Sequence, residues 1–302
     1  MKYFFPVILF LLSLFSCTER IDIPTRDAPP IPVVYGCLTD AYGRQAIRLT
    51  SSSPYFEKAV NKDITNASVV VRSSVKEYRF EYGENGYYIS TENFACVAGE
   101  TYKLEIKVDF DRDGTPETYQ AQTVTPLAVS LDSISLSPQN LMGFGHYGLR
   151  INMQDPPEIE NYYLFRYYLR DTITNDDLTQ YILSEDRMFN GVYLKNININ
   201  FFEDGTDENV LKMIEESKNS DYLYYQRLDN LLYPGDTVRL EIMNIEKDYF
   251  RFINDCRSEK RGENPLFGGP PSNIITNISN GAAGFFTSHC IRTKSTAVPE
   301  KE

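Results

Sequence analysis

Between residues 31 and 125 apolar and polar residues alternate with a period of two, and this constrains the fold more than any other feature. The runs are Ile31–Thr39, Gln45–Ser51, Ala67–Arg72, Glu77–Tyr82, Tyr87–Thr91, Gly99–Asp109 and Thr118–Thr125. A period of two sends successive side chains to opposite faces of a strand, so each run predicts a strand with one buried face. Turn-forming residues separate them, as in Gly83-Glu84-Asn85-Gly86 and Asp111–Glu117. Short strands at this spacing predict an antiparallel sandwich of immunoglobulin- or transthyretin-like type over 31–126.

Pro126 marks a boundary, after which the alternation resumes in Leu131–Leu136, His146–Gln154, Asn161–Asp171, Gly191–Phe202 and Asp236–Ile245. One segment is strongly helical, about 246–257. Ile245, Tyr249, Phe252, Ile253 and Cys256 fall on one face, while Lys247, Asp248, Arg251 and Asp255 take the other. This helix is expected to plug one end of a second sandwich. The acidic stretch within 203–235 predicts a short helix in a long excursion, and 264–286 is Gly/Pro-rich. The fold class is therefore all-β, with two β-sandwich domains at 31–126 and 127–295, the second carrying one embedded helix, and a tail at 296–302.

The first residues carry an address. Lys2 precedes an apolar run from Tyr3 to Phe15, and Ser16 stands before Cys17. That pattern is a secretory signal, too short to span a bilayer as a mature helix. Leu14-Phe15-Ser16-Cys17 resembles a bacterial lipobox, which implies a signal peptide over 1–16 and acylation of Cys17. Two or three acyl chains anchor stably where one would be marginal. Residues 17–30 then form a polar, Pro-containing tether. The expected partner is a membrane, through that lipid. The formal charge of −12, from 30 Lys+Arg against 42 Asp+Glu, argues against nucleic acid.

Catalytic groupings are sparse. The chain has two histidines. His146 falls in a predicted turn, and in Ser288-His289-Cys290 adjacent side chains on a strand point to opposite faces, so neither histidine is expected to serve a nucleophile. Four cysteines remain after Cys17. Their wide spacing excludes the usual zinc patterns, and Cys37–Cys96 with Cys256–Cys290 is the preferred disulfide pairing, buried free thiols being the alternative. Asp111, Asp113 and Glu117 resemble half of a calcium loop, although a polar hairpin turn explains the same residues. Tyr162, Tyr163, Tyr167 and Tyr168 crowd one strand. One face must be core, and the other is a candidate partner surface. No metal or other cofactor is implied, and the chain reads as non-enzymatic.

A further resemblance rests on the order of several short motifs. Leu49-Thr50-Ser51-Ser52-Ser53-Pro54-Tyr55-Phe56, Gly99-Glu100-Thr101-Tyr102, Thr125-Pro126 with Leu131-Asp132-Ser133-Ile134, Phe189-Asn190-Gly191 and Pro234-Gly235-Asp236 precede a closing block. That block contains Asn264-Pro265-Leu266-Phe267, Pro271-Ser272-Asn273-Ile274, Thr276-Asn277-Ile278 and Gly281-Ala282-Ala283-Gly284-Phe285-Phe286. Together they resemble a Bacteroidota lipoprotein family known as domain of unknown function 4249. The resemblance implies a lipid-anchored outer-membrane protein, often encoded beside a TonB-dependent transporter, and brings no catalytic residues. The expected role is a ligand-capturing or gating accessory of such a barrel; the alternative is a structural or adhesive envelope protein. The short acidic run Thr18-Glu19-Arg20-Ile21-Asp22 favours the cell surface over the periplasmic face.

Overall fold

The structure, a computed structural model, describes residues 29–53, 61–157, 159–174, 177–178, 180–219, 228–262 and 274–300. Cys17, the expected signal before it and positions 264–273 of the closing block lie outside them. The chain is mostly β, in two sheets, and the expected sandwich-like all-β class is observed.

Strand β1 (Pro32–Thr39) sets the pattern. Val34 and Leu38 enter a core on one side, while Val33, Tyr35, Cys37 and Thr39 face the other. β2 (Ala46–Ser51), β3 (Ser68–Arg72), β4 (Glu77–Tyr82), β5 (Tyr87–Ser90), β6 (Thr101–Val108) and β7 (Glu117–Val124) join it in the order β1-β2-β5-β4-β3-β6-β7. The sheet curls until β7 meets a distant part of the chain. Gln120 N donates to Ser279 Oγ at 2.7 Å, and the Thr125 and Ser288 hydroxyls pair at 2.8 Å. Ile47, Val71, Phe80, Tyr102 and Phe286 fill the enclosed core.

The second body packs two sheets face to face. β8 (Ser130–Leu141), β9 (Phe144–Gln154), β13 (Tyr193–Asp204) and β14 (Leu231–Leu232) form one, in the order β14-β13-β9-β8. The other runs from β11 (Thr172–Ile173) through β10 (Tyr162–Leu169) and β15 (Thr237–Ile245) to β16 (Ala283–Ala297), with β12 (Ile182–Glu185) also on β10. Ile151, Met153, Tyr163, Phe165, Phe202, Leu240 and Ile242 interdigitate between them.

β16 is the longest element that the sequence reading misses, the short β11, β12 and β14 being the others, and it joins the two bodies. Residues 283–289 pair in parallel with β1, and residues 290–297 pair antiparallel with β15. At the change of partner, Asp40 accepts from Ile291 N at 2.8 Å and from Arg292 Nη1 at 2.7 Å. The strand's entry needs glycine. Gly284 has φ +101°, and a Cβ there would run into the Val34 carbonyl. The expected tail is correspondingly shorter, since Ala297 ends β16 and Val298 is buried in the second core. A second clasp comes from Glu246, whose carboxylate takes Thr123 Oγ1 at 2.5 Å and Val124 N at 3.1 Å across the join. Burial raises its pKa.

Helix α1 (Glu208–Glu216) is the short helix expected in the excursion, and the Asp207 side chain caps it by accepting from Val210 N. Helix α2 (Lys247–Gly262) has the predicted apolar face but not the predicted place. It lies over the outer face of β10, β15 and β16 instead of plugging an end. Tyr162, Leu164, Met243, Ile245 and Phe285 make that outer face apolar, and Tyr249, Phe252 and Ile253 bury themselves on it. Each such side chain contributes about 1.5–3 kcal/mol by leaving water.

Candidate functional site

Helix α2 does not cover the whole face. Where the sheet passes from β16 to β1 and β2, a cavity of about 560 Å³ remains beneath it. The floor is a cross-strand row, since Tyr35 stands opposite Phe285 on one side and Arg48 on the other, and Arg48 stands opposite Tyr87. Tyr249 and Phe252 of α2 form the roof with Leu178 and Tyr181, and Leu164, Arg166 and Met243 close the inner side. A volume of this order suits a small organic ligand.

The polar groups of the wall meet in pairs. The hydroxyls of Tyr35 and Tyr249 lie 2.7 Å apart. Cys37 Sγ lies 3.4 Å from His289 Nε2. Burial pushes the Cys37 thiol up to about 12, and burial together with the nearby Arg166 guanidinium pushes His289 down to about 3. Both are therefore neutral at physiological pH. A nucleophilic cysteine needs thiolate character, usually lent by an adjacent cation or an imidazolium. This pair is instead a neutral donor and acceptor. Arg166 Nη2 bonds Glu241 Oε2 at 2.9 Å, and that carboxylate also accepts from Tyr168 at 3.1 Å. No aspartate or glutamate lines the cavity among the described residues.

None of these pairs is visible in the sequence. Cys37 and His289 stand 252 positions apart and meet only because β16 runs parallel to β1. The available signal was β1 itself, whose second face also carries Val33, Tyr35 and Cys37. Such a strand is covered on both sides. Strand alternation does hold at the Ser288-His289-Cys290 triplet. His289 faces the cavity, while Ser288 bonds Thr123 and Thr125 on the opposite face.

The disulfide pairing requires correction, because Cys37, Cys96, Cys256 and Cys290 are all free thiols. The sheet separates both pairs. Cys37 lines the cavity while Cys96 sits in the first core, and Cys256 rides on α2 while alternation turns Cys290 away from the helix side. Burial raises the pKa of Cys96 to about 12 and of Cys290 and Cys256 to about 11. The tyrosine surface is also corrected. Tyr163 and Tyr167 belong to the core between the sheets, and Tyr162 is buried under α2, so neither face of β10 is free. Tyr168 is half-buried, with the Arg239 guanidinium 3.7 Å above its ring.

At the β6–β7 hairpin the carboxylates that gather are Asp109, Asp111 and Asp113, with ligand oxygens within 4.8 Å of one another. Glu117 is drawn elsewhere and accepts from Phe110 N at 2.9 Å. Asp111 accepts from Asp113 N, Asp113 from Thr115 N and Asp109 from Gly114 N. These bonds are those of a polar turn, which Asp109 joins although in the sequence it reads as the end of a strand.

Architecture and cavity together define an all-β protein of two bodies stitched by one strand, with a small-ligand-sized cavity over the stitch. The chain belongs to the family described as "Domain of unknown function (DUF4249)", whose model matches residues 18–295. No curated protein matches it. The motif residues take structural roles here. Asn277 brackets Phe286 with bonds of 2.7 and 2.9 Å at the start of β16. Gly191 N donates to the buried carboxylate of Asp155 at 2.7 Å, which Tyr163 also engages.

Proposed function

We propose that this chain is a non-enzymatic, lipid-anchored outer-membrane protein of the cell surface that captures a small ligand and serves as an accessory to a TonB-dependent transporter. The cavity under α2 carries the capturing part of this reading, because its walls combine apolar side chains with a few paired polar groups. The neutral state of Cys37 and His289 supports binding over covalent chemistry. The Leu14-Phe15-Ser16-Cys17 motif supports the anchor, through diacylglyceryl transfer to Cys17. The family's implied association with such barrels supports the partner. The test is to tag the C-terminus, solubilise outer membranes in mild detergent and identify what co-elutes by mass spectrometry. A TonB-dependent barrel in stoichiometric amount is the expected result. A solitary lipoprotein would overturn the accessory role.

A further inference from the structure

Of the described residues lining the cavity, the only two that carry charge are Arg48 and Arg166, in a chain where acids outnumber bases by 42 to 30. Arg166 is engaged with Glu241 on the inner side. Arg48 is different. It is exposed at the rim, its Nε donates to the Asn85 carbonyl at 3.2 Å, and its guanidinium lies 5.4 Å from the centre of the Tyr87 ring. Those contacts fix its direction without neutralising it, and no carboxylate pairs with it among the described residues. Stacking on an aromatic face leaves the edge of a guanidinium free to fork onto a planar anion. Deeper in, the buried Leu164, Met243 and Phe252 supply an apolar wall. On the floor strand, Thr287 is 0% exposed and its Oγ1 has no hydrogen-bond partner. Register with Cys37 puts it on the cavity side of β16.

We propose that the cavity takes an amphipathic carboxylate, with the anion held by Arg48 at the rim and an apolar body directed inward beneath α2. The inference rests on the capture reading above and adds the ligand's chemistry to it. One charge-assisted fork distinguishes an anion from its neutral isostere by about ten-fold or more. Because Arg48 is exposed, salt reduces that preference.

The test uses the full chain carrying Cys17→Ser, so that no acyl chain competes, with 2-naphthoate and its neutral isostere 2-naphthamide as probes in equilibrium dialysis. Naphthoate is expected to bind about ten-fold tighter or better, Arg48→Gln to bring the two probes level, and Leu178→Trp to exclude both by filling the cavity. Equal binding of both probes to the parent chain, still blocked by Leu178→Trp, would overturn the carboxylate inference and leave capture standing. Absence of binding by either probe, or binding that Leu178→Trp leaves unchanged, would overturn capture in this cavity and the inference with it.

Discussion

Two of the cavities among the described residues differ in kind. The one under α2 is lined by Tyr, Arg, Cys and His side chains gathered from β1, β2, β10, β16 and the helix. The other, about 460 Å³, lies between the two sheets of the second body and is lined mostly by apolar side chains such as Ile151, Met153, Phe165 and Phe189, with Tyr163, Ser184 and Asn198 as its polar residues. The second is a mostly apolar gap between the facing sheets, with no cysteine, histidine or charged residue among its described lining. The first places neutralised titratable groups in fixed pairs. Burying such groups is costly unless they are satisfied, so a wall of this composition has chemical consequences that an apolar void lacks.

The sharpest way to break the first cavity is at its floor. Gly284→Ala combines a positive φ with a collision against backbone that cannot yield, and it strikes the β1–β16 pairing on which the cavity is built. The expected loss exceeds about 5 kcal/mol, seen as an unfolded chain in denaturant titration. Gly143→Ala is the control, with φ +89° and nothing within 4 Å of a Cβ.

Next in size is the response to acid. His289 titrates near 6.5 when unfolded and near 3 when folded. Below 6.5 the unfolded chain binds a proton that the native one refuses, so stability falls as pH falls and the loss is complete near pH 3. That contribution reaches about 5 kcal/mol at its limit. His289→Gln is expected to remove it, flattening unfolding free energy against pH across this window. An unchanged slope would place the acid sensitivity elsewhere.

The apolar cavity should behave otherwise. Phe189 stacks on Tyr163 at 6.3 Å between ring centres. Phe189→Ala should cost about 3 kcal/mol, equally at pH 4 and pH 7, while leaving naphthoate binding at the first cavity unchanged. A loss of binding would mean that the two cavities are coupled through β10.

Much of the fold was legible locally. Alternation along β2 to β7 is strong because one face of these strands carries exposed residues, and the Tyr249, Phe252 and Ile253 spacing gave α2 its buried side. β16 was not legible. Its first half, Ala283-Gly284-Phe285-Phe286, follows a Gly-rich block that reads as loop, and its second half, Thr293–Ala297, is too polar to read as core. The tyrosines of β10 show the same limit. Alternation identified two faces, but only the position of α2 shows that both are buried.

The sequence by itself determined the strand pattern, the apolar face of the helix and the family, because these depend on neighbours one to four residues apart or on motifs in order. Tertiary structure decided which strands pair, that four cysteines stay reduced on opposite sides of a sheet, and that Cys37 meets His289 beneath a helix. A parallel pairing of the first strand with the last has no local signature, since the residues that pair, such as Val33 and Ala283, are separated by nearly the whole chain.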